Sequence, residues 1–446
     1  MRNFHTHLVS LLLVFLAGLA LTATATLAQS GVSISAKTTM HWAHSDGHEG
    51  FEVDAFGEVI FLADDSGVAR ISEGGFLTIR VRENGGTVYL DIRPRHDGSL
   101  TYDYRMDGRR VDYADADQRE LADLFLMIIR ETGMGASERV GRILRNDGVA
   151  SVFTEIDQIE SGSSVRRYLS ALVEQGSLNG RELQRAARVA QNEIDSGGDR
   201  ARFLWQTAAS FMAEDDAVDA FFDAVSSVPS PGDKARTLRA ALEAKPDRGA
   251  MLRLITEAQA MKSSGDKTRV LMATIGYFSD DSAIRDAYFD AVETIDSPGN
   301  RSRLLISLLS EYEIDSETAE LALRNAAGIK SSGDKARVLI QAAPHYANTE
   351  AQRGYFFDAV GSISSSGDHA RVLLALLGNE NLGKATLMSV LKSVRDISAS
   401  GDAARVLRDA APYMSDDELV DAYLKAAETI SAPRDRSRAL TALMSE

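Results

Sequence analysis

The sequence predicts a multidomain α+β protein: an N-terminal antiparallel β-meander domain followed by a right-handed all-α solenoid of about nine two-helix repeats. The first observation is a loop that keeps returning. IKSSGDKARVL at residues 329–339 recurs as MKSSGDKTRVL from Met261, IDSPGNRSRLL from Ile295, ISSSGDHARVL from Ile363 and ISASGDAARVL from Ile397. A fixed period of this kind is the signature of stacked supersecondary units. The second observation is strict alternation of apolar and polar residues in FLTIRVREN, TVYLDIR and SLTYDYRM, which gives a strand one buried and one solvated face. The third is the set of Asn-Gly and Asp-Gly turns between those strands.

In chain order, residues 1–28 read as a signal peptide. Arg2 precedes an apolar run from Leu8 to Leu21, and the small residues of ATATLAQS offer cleavage after Ala25 or Ala28. An uncleaved membrane anchor is the alternative, for which the run is short. The chain has no cysteine, so burial alone must hold an exported protein together, which suits a bacterial periplasm better than a disulfide-stapled secreted domain. The expected location is therefore periplasmic or secreted, by a Sec-type signal, with no stable membrane insertion after cleavage. A formal charge of -16 repels nucleic acid at long range.

Residues 29–49 read as a linker and 50–115 as the antiparallel β domain, with five or six strands expected. Leu77, Ile79 and Val81 share one face while Thr78, Arg80 and Arg82 take the other. Val88, Leu90 and Ile92, then Leu100, Tyr102 and Tyr104, extend the apolar side. A helix predicted from Asp117 to Glu131 places Leu121, Leu124, Phe125, Ile128 and Ile129 on one stripe that can cover the sheet. In the linker, HWAHSDGH brings His41, His44 and His48 within eight residues. Imidazoles are zinc, copper or nickel ligands. Spacing alone fixes no geometry, however, and the zinc-peptidase pattern HExxH is missing, because Gly50, Phe51 and Glu52 follow His48-Glu49. Incidental histidines on a solvated segment are the competing reading, and no metal ligand is assigned.

Residues 116–446 read as the repeat domain. The loop Asp or Asn recurs at Asp199, Asp233, Asp266, Asn300, Asp334, Asp368, Asp402 and Asp435, in steps of 33 or 34 residues. Three residues after each stands an arginine, and two further on a leucine. Such a unit holds two helices, here expected at about Ser332 to Ala343 and Thr349 to Ile363, neither of which can bury its apolar face alone. Serine is expected as N-cap, proline as first helical residue in Ser230-Pro231 and Ser297-Pro298, and the loop Asp at the third position, a structural carboxylate against the helix dipole. The arginines are expected to pair with the Asp of their own turn or with a carboxylate of the next repeat. A basic stripe for an acidic ligand is the alternative.

A second period doubles the unit to about 68 residues. AFFDAV, AYFDAV, GYFFDAV and AYLKAA mark every other second helix. These aromatics are expected in the core, with Tyr288, Tyr355 and Tyr423 as candidate peptide anchors on an open wall if they are not. GNENLGKAT at 378–386 fails as a phosphate loop, since Ala385 stands where a hydroxyl must meet magnesium and no strand precedes it. No thiol nucleophile exists, and His345 and His369 occupy unrelated repeat positions. No catalytic or cofactor-binding residue is assigned, and no cofactor is expected.

Period and helix count resemble the broad HEAT-like and tetratricopeptide-like solenoids, though the tryptophan, glycine and proline pattern of the latter is missing. The loop I-x-S-x-G-D-K-A-R-V-L more closely resembles the repeat of poorly characterised exported bacterial proteins. In these a small β-rich head precedes helical repeats with an Ile-Ser-Asp-Tyr-Glu-type loop, and similar repeats follow membrane metallopeptidases related to beta-lactam sensors. Here Ser-Gly-Asp replaces that loop and the zinc motif is missing. The resemblance spans about residues 50–446 and implies architecture without an activity. The sequence thus favours an envelope or periplasmic protein-protein interaction scaffold with a protein or peptide partner on the solenoid surface. On balance no enzymatic activity is expected. A metal or small-ligand binding protein, or an enzyme with its site near His41, His44 and Asp46, is the alternative.

Overall fold

The computed structural model describes residues 33–45, 49–277, 281–311, 314–379 and 382–445. The expected signal peptide, Asp46 and His48 lie outside them. No described helix is long and apolar enough to cross a membrane. By compactness the chain divides into two units, Met1–Ser227 and Val228–Glu446.

The first unit opens with seven antiparallel strands, β1 (Ser33–Ser45), β2 (Gly50–Phe61), β3 (Val68–Ile71), β4 (Phe76–Glu83), β5 (Gly86–Pro94), β6 (Leu100–Met106) and β7 (Arg109–Val111). Their order is β1-β2-β4-β5-β6-β7, with β3 pairing β2. The linker expected at 29–49 is corrected here, because 33–45 form β1. It pairs only β2, and an edge strand needs fewer apolar residues than its neighbours. Gly57, at φ +79°, lets β2 bend from β4 toward β3; a side chain there would meet the Ser72 hydroxyl at 2.5 Å. Helix α1 (Gln118–Thr132) starts where Asp117 caps the Arg119 amide at 2.9 Å. Its Leu121, Phe125, Ile128 and Ile129 bury against Val53, Ala55, Leu77, Ile79, Leu90 and Ile92 of the sheet, as the alternation predicts. At about 1.5–3 kcal/mol for each fully buried large side chain, this face holds the head together.

The first unit continues through α2 (Ala136–Asp147), α3 (Val149–Ile156), α4 (Gly162–Gln175), α5 (Gly180–Glu193), α6 (Gly197–Met212) and α7 (Asp215–Ser226). The even helices α2, α4 and α6 stack in one layer, and α5 packs on α7 in the other. The second unit comprises α8 (Pro231–Glu243), α9 (Arg248–Ala260), α10 (Ser264–Thr274), α11 (Ser282–Glu293), α12 (Pro298–Glu311), α13 (Ser316–Ala327), α14 (Ser332–Ala342), α15 (Glu350–Gly361), α16 (Ser366–Leu377), α17 (Lys384–Val394), α18 (Ser400–Ala410), α19 (Asp417–Glu428) and α20 (Pro433–Met444). Even helices stack on even and odd on odd throughout it. Together the helices make roughly nine two-helix repeats, an α+β solenoid-type fold behind an open sheet.

The recurring loop is built as its composition dictates. The serine hydroxyls of Ser196, Ser230, Ser263, Ser331 and Ser365 accept the amide of the Asp three residues on, at 3.2–3.3 Å. The apolar residue two before each cap is buried, from Ile194 at 0% exposed to Ile397 at 7%. Arg269, Arg337, Arg371, Arg405 and Arg438 each pair with the Asp of their own turn. Spacing between hairpins is fixed elsewhere. Ser332 bonds the Ser364 hydroxyl and amide, Ser366 bonds Ser398 and the Ala399 amide, and Ser400 bonds Ser431 and the Ala432 amide. Arg248 reaches Asp281, Arg285 reaches Asp315 and Glu317, and Lys384 reaches Asp416 and Glu418 along the other turn.

The residue after the loop Asp has a role that the sequence reading missed. Lys267 donates to the Thr294 carbonyl at 3.1 Å, Arg301 to the Val292 carbonyl at 3.2 Å, and Arg436 to the Ile430 carbonyl at 2.9 Å. These cations satisfy the orphan carbonyls at the C-terminal end of an odd helix or of the loop after it. His369 takes this place in its repeat, 3% exposed, with its Nε2 at 2.8 Å from the Ser393 hydroxyl. Burial pushes its pKa below the usual 6.5, against the pull of Asp396. A histidine harder to protonate when folded stabilises fully above its unfolded pKa, and that contribution is lost as pH falls from about 6.5 toward the folded value. His369→Gln should flatten the stability loss between neutral and mildly acidic pH, as read from urea midpoints of the second unit.

Candidate functional site

Four features carried the functional expectations. The aromatic stripe is core. Its true column is Phe221, Tyr288, Phe356 and Tyr423, all 0% exposed. Tyr355 falls one residue out of register with it and is partly exposed, so Tyr288, Tyr355 and Tyr423 do not form one row of anchors. Tyr423 donates to the Ala439 carbonyl at 2.8 Å, and burial pushes its phenol up to about 12.

The outer face of the even-helix layer in the second unit is different. Partly exposed aliphatic residues stand six after the loop Asp or Asn in four successive even helices: Met272, Ile306, Ile340 and Leu374. At a helix spacing of about 8–10 Å they make a row about 24–30 Å long. In α8 and α18 the same place is held by exposed Arg239 and Arg408, which close the row at both ends. Beside it runs the arginine column. The side chains of Arg269, Arg337 and Arg371 are 56–64% exposed while those of their Asp partners are recessed at 16–22%. On the second of the row's four helices the loop Asp is replaced by Asn300, and Arg303, exposed, makes no ion pair among the described residues.

The head contributes a polar face. Strand alternation puts His41 of β1, Glu52 and Asp54 of β2, Arg80 of β4, Tyr89 and Asp91 of β5 and Asp103 and Arg105 of β6 on the side away from α1. His41 lies opposite Asp54, with Nδ1 at 2.7 Å from Oδ1. Arg80 bonds Glu52 at 3.0 Å and Asp54 at 3.1 Å, and its guanidinium lies 5.5 Å from the Tyr89 ring centre. His44, three residues from His41 on the same strand, takes the opposite face and meets the Phe51 ring at 6.1 Å. The sequence placed His41 and His44 together; the strand separates them and brings His41 to two carboxylates that sequence proximity did not signal.

Where helices α2, α3 and α4 approach the head, within the first unit, a charged cluster is buried. Asp65 accepts from Arg139 and, at 2.5 Å, from Arg142. Glu155 accepts from Arg139 at 2.8 Å and from Arg130 at 2.7 and 2.9 Å. Tyr168, fully buried beside these groups, has its phenol pushed well above its ordinary value by burial. The cluster holds no candidate nucleophile with an adjacent base; its two carboxylates are each shared by two of its three guanidiniums, which makes it a structural tie.

The near-miss phosphate loop is likewise structural. Lys384 is held by Asp416 at 3.0 Å and Glu418 at 2.7 Å. His345 bonds the Leu309 carbonyl at 3.1 Å. No family model matches the chain, and no curated protein matches it.

Proposed function

We propose that the chain is a non-enzymatic scaffold of a bacterial envelope, exported by a Sec-type signal to the periplasm or beyond, that holds a partner protein along the even-helix layer of residues 228–446. The observation that carries this reading is the row Met272, Ile306, Ile340 and Leu374 with Arg303, unpaired among the described residues, on the second of its four helices. Elsewhere along the row Arg269, Arg337 and Arg371 each have the Asp of their own turn, whereas Arg303 has no carboxylate partner among the described residues and can take one from a bound segment. The partner is therefore a protein segment that is acidic and carries aliphatic side chains. Recessed Asp and exposed Arg along the row give the surface a local sign opposite to the chain's net charge, which favours such a segment over a basic one.

The test is a photo-crosslinking residue at Ile340, compared with one at exposed Asp358 on the odd layer. The expected result is a defined adduct from position 340 whose crosslinked segment is acidic and aliphatic, and a yield that Arg303→Glu lowers at least about tenfold. Tenfold is about 1.4 kcal/mol, near the lower end for a hydrogen bond to a charged group. Equal yield from position 358, or indifference to Arg303→Glu, rejects the surface.

A further inference from the structure

We propose that His41, Glu52 and Asp54 form a binding site for a zinc-class divalent cation on the open face of the sheet, independent of the docking surface on the helices. One ligand atom from each residue lies within 4.8 Å of the others. The donors come from two adjacent strands whose register is fixed, His41 opposite Asp54 and Glu52 two residues along the same face of β2. A tetrahedral zinc ion holds its donors roughly 3.4 Å apart at bond lengths of about 2.0–2.2 Å. Side-chain rotation closes the remaining distance, and water completes the shell.

The mixed donor set selects the metal. One imidazole and two carboxylates suit zinc and its neighbours, whereas a site for calcium or magnesium uses oxygen alone. Arg80 is the internal competitor. It places its positive charge on both Glu52 and Asp54, at 3.0 and 3.1 Å. When the ion binds, the guanidinium is released to the adjacent face of Tyr89, where it already rests within cation–π distance. Thr78 and Asp91 bond each other at 2.7 Å and stay out of the shell.

The experiment is a calorimetric Zn2+ titration of the whole chain without a histidine tag, with Co2+ absorption as a spectroscopic check. One ion per chain is expected at this site. His41→Gln should weaken it at least tenfold, His44→Gln should leave it unchanged, and Arg80→Gln should tighten it several-fold by removing the competing charge. The last variant keeps the test decisive, because a damaged sheet lowers affinity and cannot raise it. Absence of saturable binding, affinity unaffected by His41→Gln, or Ca2+ binding as tightly as Zn2+ would overturn the assignment.

Discussion

Replacing Asp65 by asparagine is expected to destabilise the first unit by about 3–5 kcal/mol, the usual cost of removing one partner from a buried ion pair. Asp65 sits in the turn between β2 and β3 at φ 62° and is 6% exposed. Asparagine tolerates that left-handed backbone and keeps the side-chain volume, so the substitution removes the charge and little else. Arg139, 5% exposed, is then left with Glu155 alone, which it shares with Arg130. A buried and a half-buried guanidinium on one carboxylate, with Arg142 deprived of its carboxylate acceptor among the described residues, is an uncompensated arrangement. The chain supplies its own probe. Its two tryptophans, Trp42 and Trp205, both lie in the first unit, so urea unfolding followed by tryptophan fluorescence reads that unit selectively. A loss under about 1 kcal/mol would mean that the cluster is hydrated and does not tie the head to the helices.

The second large effect is expected at Phe356, where truncation to alanine should cost about 3–5 kcal/mol. The ring is 0% exposed and meets Tyr346 and Phe357 edge-on, at centroid distances of 5.6 and 5.4 Å. It belongs to the column that also contains Phe221, Tyr288 and Tyr423, and the hairpin it fills touches only its sequence neighbours, so the lost contacts have no distant substitute. Tyr355→Ala, one residue earlier and partly exposed, should cost about 1 kcal/mol or less. The second unit has no tryptophan, and far-UV circular dichroism is the appropriate readout. Equal losses at the two positions would show that the ring register has been assigned wrongly.

Much of the fold was legible because its causes are local. Serine caps, Pro231 at the first helical position, the own-turn pairs of Arg269, Arg337, Arg371, Arg405 and Arg438 and the α1 stripe all act within a turn or two of the chain, and these formed as read. Asp65 and Arg139 are 74 residues apart, and neither stands in a pattern that names the other. The histidines failed for a different reason: proximity along the chain is not proximity in a strand, whose period of two sends His41 and His44 to opposite faces. β1 escaped notice because an edge strand with one partner shows weaker alternation than β4 or β5. The cations after the loop Asp were visible as a column, but their acceptors are carbonyls, which no sequence displays.

The serine contacts between successive loops have a consequence for how such a chain can change in length. Each of Ser332, Ser366 and Ser400 meets a residue 31 or 32 positions later. One residue inserted between two such loops displaces a helix turn by about 100° and 1.5 Å, and the contact is lost unless a turn absorbs the change. A whole duplicated pair of hairpins leaves every contact intact. Growth of this architecture is therefore quantised: lengthening by about 68 residues is nearly neutral at the joints, and lengthening by a few is not.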